Sequence, residues 1–218
     1  MTTGGSKAAL VVGSEFMHDL GSLFPVAMTL AGDELVFTFV SPGEAQEWVA
    51  GRSGSVLAGR EARFVVHPQE QQVLVELAGT RIRALIVLAE DVAAAPVHAP
   101  LPGRWRDQMP CTVRIALDEL ARMLARCQHH AGGPDPLIDL DLTYRPDPDY
   151  HDRLDQAHEG VRPFIAPVRP MLSLRWRSAT PGQRKAFLDE LPDAPPGRGW
   201  LRRRRTVRVL GLELEVAR

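Results

Sequence analysis

Asp139 and Asp141 stand two residues apart in Ile138-Asp139-Leu140-Asp141-Leu142, so on an extended strand both carboxylates lie on one face. Hard divalent cations take oxygen ligands, and a loop hung between two strands can supply more of them. With Asp149 and His151 folding back from the segment that follows, the set describes a Mg2+ or Mn2+ site for phosphoester hydrolysis. The stretch from Asp135 to Glu159 carries eight acidic residues against two arginines, and His129, His130, His151 and His158 are four of the seven histidines. No H-E-x-x-H, no HxHxDH-like run and no EF-hand spacing organises them. A simpler role competes with the metal: Asp139 and Asp141 as the solvent face of a strand, and Arg145-Pro146-Asp147-Pro148-Asp149 as a turn-forming acidic loop.

Arginine offers the second chemistry. Between Val161 and Arg218 there are thirteen Lys or Arg residues against five Asp or Glu. Arg175 and Arg177 share one parity of a strand-like segment, and Arg198, Arg202, Arg203, Arg204 and Arg205 approach the C-terminus with Trp176 and Trp200 interleaved. Guanidinium groups beside indoles suit phosphate contacts and base stacking. The competing role is an arginine-rich edge that discourages strand addition, paired with the acidic loop of the same half.

Cys127, His129 and His130 close a helical segment, where a Cys and a His three apart could share a zinc ion only with two further ligands. Burial of Cys127 on the apolar face, with the histidines near the C-terminal dipole, explains the same residues. No G-x-S-x-G and no phosphate-cradling glycine loop is present. The chain therefore reads as a binding protein rather than an enzyme.

The elements that must position these groups follow from pattern. Pro25 to Leu30 and Glu34 to Ser41 read as a hairpin around Ala31-Gly32-Asp33. Ser41 and Pro42 then start a short helix to about Gly51. Ala62 to Val66, Gln72 to Leu77 and Arg81 to Leu88 are further strands. Thr112 to His130 is an amphipathic helix, with Ala116, Leu120, Met123, Leu124 and Cys127 on one face. Ile138 to Leu142 alternates as a strand whose partner is Met171 to Arg177. Thr180, Pro181 and Gln183 make a T-x-x-Q capping box opening a helix to about Leu191. Apolar parity flips at Leu210-Gly211, which predicts a hairpin pairing Val209 with Leu212, Val207 with Leu214, Arg208 with Glu213 and Thr206 with Glu215. An unbroken strand bulged at Gly211 is the competing pattern.

Two segments resemble each other within the chain. Phe37 to Val49 is echoed by Leu174 to Leu188, each an aromatic-bearing strand followed by a Pro-Gly helix start and then two strands. The fold class that follows is α+β: two similar β-β-α-β-β halves, readable as an internal duplication, with mainly antiparallel sheets and one longer amphipathic helix between them. The divisions are a leader at 1–16, an N-terminal half at 17–91, a proline-rich linker at 92–111 and a C-terminal half at 112–218. That last part comprises the helix 112–130, an acidic loop 145–170 and the C-terminal hairpin. The leader takes its reading from Gly13-Ser14-Glu15-Phe16 before Met17, which resembles an expression scar; a native, weakly ordered terminus is the alternative.

A net charge of -1 over 218 residues gives no global pull toward polyanions, so an electrostatic partner must be held by a local patch. Two cysteines without a C-x-x-C fit a reducing cytoplasm. The longest apolar runs fall far short of the roughly 20 residues that cross a bilayer, so no membrane partner is expected. The leading expectation is a small cytoplasmic, non-enzymatic binding or adaptor protein contacting nucleic acid, another polyanion or a phosphorylated ligand through its arginine-rich C-terminal half. It needs no cofactor. A metal-dependent hydrolase using a divalent ion is the second expectation, and a protein-protein or self-associating scaffold the third.

Overall fold

A computed structural model describes residues 5–19, 25, 27–39, 56–57, 60–67, 72–77, 80–86, 104–191, 204–209 and 212–217. The fold is α+β. Its strands are β1 (Ala27–Ala31), β2 (Glu34–Phe39), β3 (Val56–Leu57), β4 (Arg60–His67), β5 (Gln72–Leu77), β6 (Thr80–Ile86), β7 (Leu137–Pro146), β8 (Val168–Ser178), β9 (Arg204–Val209) and β10 (Leu212–Ala217). Its helices are α1 (Ser6–Asp19), α2 (Trp105–Ala131), α3 (Tyr150–Gln156) and α4 (Pro181–Glu190), with a 3-10 turn at Arg162–Phe164. The sheet order is β3-β4-β5-β6-β2-β1-β7-β8-β10-β9. Only β2 with β6 and β8 with β10 run parallel; the other neighbours are antiparallel.

Strand alternation sorts the two faces. Met28, Leu30, Leu35, Phe37, Leu140, Leu142, Leu172, Leu174, Leu214 and Val216 are buried in one core with α1 and α2. Each such side chain contributes about 2 kcal/mol by leaving water. The alternate positions between them, such as Thr29, Asp141 and Arg175, form an open polar face. Across that face opposite charges meet, as in Arg83 with Glu34 at 2.8 Å.

The structure corrects three boundaries. Residues 6–16, expected in a leader, belong to α1, where Ala9, Leu10, Val12, Phe16 and Met17 are buried. Gly13 has a structural reason: a Cβ there would lie 3.4 Å from Leu35 and 3.5 Å from Leu117, so the small residue lets the helix approach. Phe16 stacks on Phe37 at 5.2 Å. The central helix begins at Trp105 rather than 112, taking residues 105–111 from the expected linker. Pro110 forfeits one helical hydrogen bond, but buried Met109 and Val113 extend the apolar stripe through it. The acidic loop 145–170 is also more ordered than expected, because β7 continues to Pro146, β8 begins at Val168, and α3 lies between. The expected helix at 42–51 and residues 92–103 of the linker lie outside the described residues.

Elsewhere the local chemistry matches. Gly32 takes φ +68° at the β1–β2 turn, as a two-residue hairpin requires. The Thr180/Gln183 capping box forms, and Gln183 also donates to the carbonyls of Gly132 and Pro134 at 2.8 and 2.9 Å, tying α4 to the end of α2. The C-terminal hairpin has the predicted register, Val209 to Leu212 and Arg208 to Glu213.

Candidate charged site on the C-terminal half

The β7–β8 hairpin carries both candidate chemistries, and it pairs them with each other. Asp147 follows β7, and its side chain is 0% exposed. Its carboxylate accepts from Arg153, from Arg169 at 2.6 Å and from the Asp149 backbone N–H at 3.0 Å. Burial alone would raise this carboxyl, but the Asp149 N–H and the two guanidinium groups outweigh it and hold the pKa below the usual range. Arg169 also reaches Asp149 at 2.6 Å. These four residues clasp α3 against the strand ends.

Asp139 and Asp141 share the open face of β7, as the alternation predicted. Asp139 sits level with Arg175 on β8 and accepts from it at 2.9 Å; Arg177 lies 3.9 Å away. A bulge leaves Arg177 as an extra residue opposite Leu137 and Ile138, and its Nη1 would lie 3.1 Å from a Cβ on Gly32. Asp141 is exposed, flanked by Thr29 on β1 and Ser173 on β8. His151 is exposed on α3, edge-on to Tyr150 at 5.2 Å. The four expected metal ligands are not brought together, because β7 runs roughly 17 Å beyond Asp141 before the chain turns toward Asp149. Among the described residues no three His, Cys, Asp or Glu side chains converge on a metal position.

The arginines gather differently. Arg175 and Arg177 have side chains 73% and 57% exposed. In backbone register Arg175 is level with Ala217 on β10, and Ala217 with Arg204 on β9. Two strand spacings of roughly 5 Å each therefore separate the Arg175 and Arg204 backbones. Arg205 follows directly, level with buried Val216, so its position has the opposite parity to Arg204 and Arg175. Arg198, Trp200, Arg202 and Arg203 lie outside the described residues. Trp176 does not join this surface: it is on the core face, edge-to-face with Phe187 at 5.1 Å, so stacking on it is a correction to the sequence reading. Its even parity beside odd-numbered arginines already carried that signal.

Sequence reasoning missed Arg153, Arg169 and Asp147 as a unit. Cys127 is buried, and desolvation, with Glu190 adding to it, pushes its thiol up to about 11. His129 and His130 are exposed and pack on each other at 5.5 Å. No protein-family description, curated protein or solved structure matches the chain.

Proposed function

We propose that this chain is a non-enzymatic binding protein of the cytoplasm that contacts an anionic partner through the arginine-bearing end of its C-terminal half. The observation that carries this is the register: Arg175, Arg177 and Arg204 fall on the open face at one end of the β8, β10 and β9 strands, with Arg205 at the same end on the opposite parity. Arg175 and Arg177 both lie in salt-bridge range of Asp139, so the two guanidinium groups share that carboxylate. Highly exposed arginines gain little from a surface pair and give it up at small cost to an incoming anion.

Nucleic acid is the first class to test. A labelled mixed-sequence oligonucleotide should bind more weakly as salt rises, with the log-log slope flattening by about one for each arginine replaced by serine at 175, 177 and 204, and by less at 205, which has the opposite parity on β9. Binding that ignores both salt and these substitutions overturns the reading. A scaffold role has its own support in the internal pairing of Asp139 with Arg175 and of Asp147 with Arg169. It predicts no oligonucleotide binding, and self-association that rises as salt falls.

A further inference from the structure

The two ends of the ten-strand order differ in what they offer. Among the described residues, β3 at one end comprises Val56–Leu57, and at the other end β9 runs for six residues, Arg204–Val209. Among the described residues β10 is the only strand beside β9. The second edge of such a strand presents alternating N–H and C=O groups along roughly 20 Å.

Sequence then selects the occupant. Within six residues β9 has Arg204, Arg205 and Arg208 and no acidic residue. Like charges oppose the addition of a second β9 from another copy, while an acidic strand is attracted. The kind of strand that fits is already present on the inner edge. There β10, Leu-Glu-Leu-Glu-Val-Ala, pairs antiparallel with Glu213 level with Arg208, Leu214 level with Val207 and Leu212 level with Val209.

We infer that the outer edge of β9 takes a strand of the same chemistry from a partner protein: an extended segment alternating apolar and acidic residues, added beside β9. The inference rests on the reading of this half as an anion-binding surface and narrows the partner to a polypeptide. A phosphodiester chain neutralises arginine but has no repeating N–H and C=O groups to complete a β-ladder, whereas an extended peptide supplies both.

The test uses the full chain and a labelled peptide with capped ends carrying Leu-Glu-Leu-Glu-Val-Ala. Its controls are the same peptide with lysine for glutamate, two versions N-methylated at alternate amides in opposite phase, and the oligonucleotide. The acidic peptide should bind saturably, weaken by about tenfold or more in the lysine version and in one N-methyl phase, and keep its affinity in the other phase. The R204E/R205E variant, checked by circular dichroism for an unchanged fold, should prefer the lysine peptide. Equal binding of both N-methyl phases shows attraction by charge without strand addition and overturns the inference. So does a dimer in sedimentation that the same variant dissolves, since a second copy would then hold the edge. Oligonucleotide binding without peptide binding removes this inference and leaves the anionic reading, whereas no binding of either removes both.

Discussion

Asp147 shows how a carboxylate in an acidic, proline-punctuated stretch comes to be buried rather than solvated. Its partners Arg153 and Arg169 are contributed by α3 and β8, so the cluster depends on a hairpin register that residue types alone do not disclose. By contrast, the shared face of Asp139 and Asp141 was legible from alternation, as was the burial of Cys127 from helical spacing. Two predictions belong at this scale. The folded-state pKa of Asp147 lies below its unfolded value, so its contribution is fully present above about pH 4 and is lost as pH falls through the depressed value. Asp147→Ala removes the buried carboxylate from Arg153 and from Arg169, which keeps Asp149, and should cost about 2 kcal/mol in urea denaturation at neutral pH, with a shallower loss of stability on acidification. Thiol titration of the native chain at pH 8 should find exposed Cys111 reacting promptly and Cys127 only after unfolding, because its thiol is held up to about 11.

Among the described residues, the elements with strong local signals match the sequence reading, as does the pairing of β7 with β8, while two helix starts do not. The Thr180/Gln183 capping box and the parity flip before Leu212 both specify short-range geometry, and both appear as expected. Two helix ends were misread for a different reason. In α1 the Gly13-Ser14 pair resembles a linker until Leu35 and Leu117 are seen against it, and in α2 the proline at 110 hides a stripe that buried Met109 carries upstream. Gln183→Ala removes the bond from the Thr180 backbone N–H to Oε1 and the bonds to Gly132 and Pro134, while the residue 183 backbone N–H still donates to Thr180 Oγ1; a loss of about 2 kcal/mol is expected in thermal or urea unfolding. Gly32→Ala should cost about 1 kcal/mol, since φ is +68° and Arg177 already sits close to the new methyl.

Eight strands of the sheet fall into two runs of similar order about the β1–β7 junction, with β3 and β4 added outside one of them. Around its centre the order is β5-β6-β2-β1 followed by β7-β8-β10-β9. Phe37 lies level with Met28 on one side and Ala84 on the other, while Leu174, its counterpart in the sequence comparison, lies level with Leu140 and Val216. What distinguishes the second half is the long excursion between β7 and β8 and the arginines of β8 and β9, so a function peculiar to one half belongs there. The sequence pattern disclosed this order of elements, but not that β1 and β7 join the halves into one sheet, because strand partners distant in the chain are chosen by packing. The core is equally shared: Phe16→Ala opens a cavity beneath Phe37 and should destabilise the molecule by about 3 to 4 kcal/mol, measured by its denaturation midpoint. The central claim is that the arginine-bearing end of β8 and β9 receives an anionic partner. Its most direct test is the affinity of the full chain for the acidic peptide and the oligonucleotide from about 50 to about 200 mM salt, with and without serine at 175, 177, 204 and 205. The account predicts binding of at least one probe that weakens with salt and collapses in the quadruple variant; affinity unchanged by the four substitutions, or no binding at low salt, would contradict it.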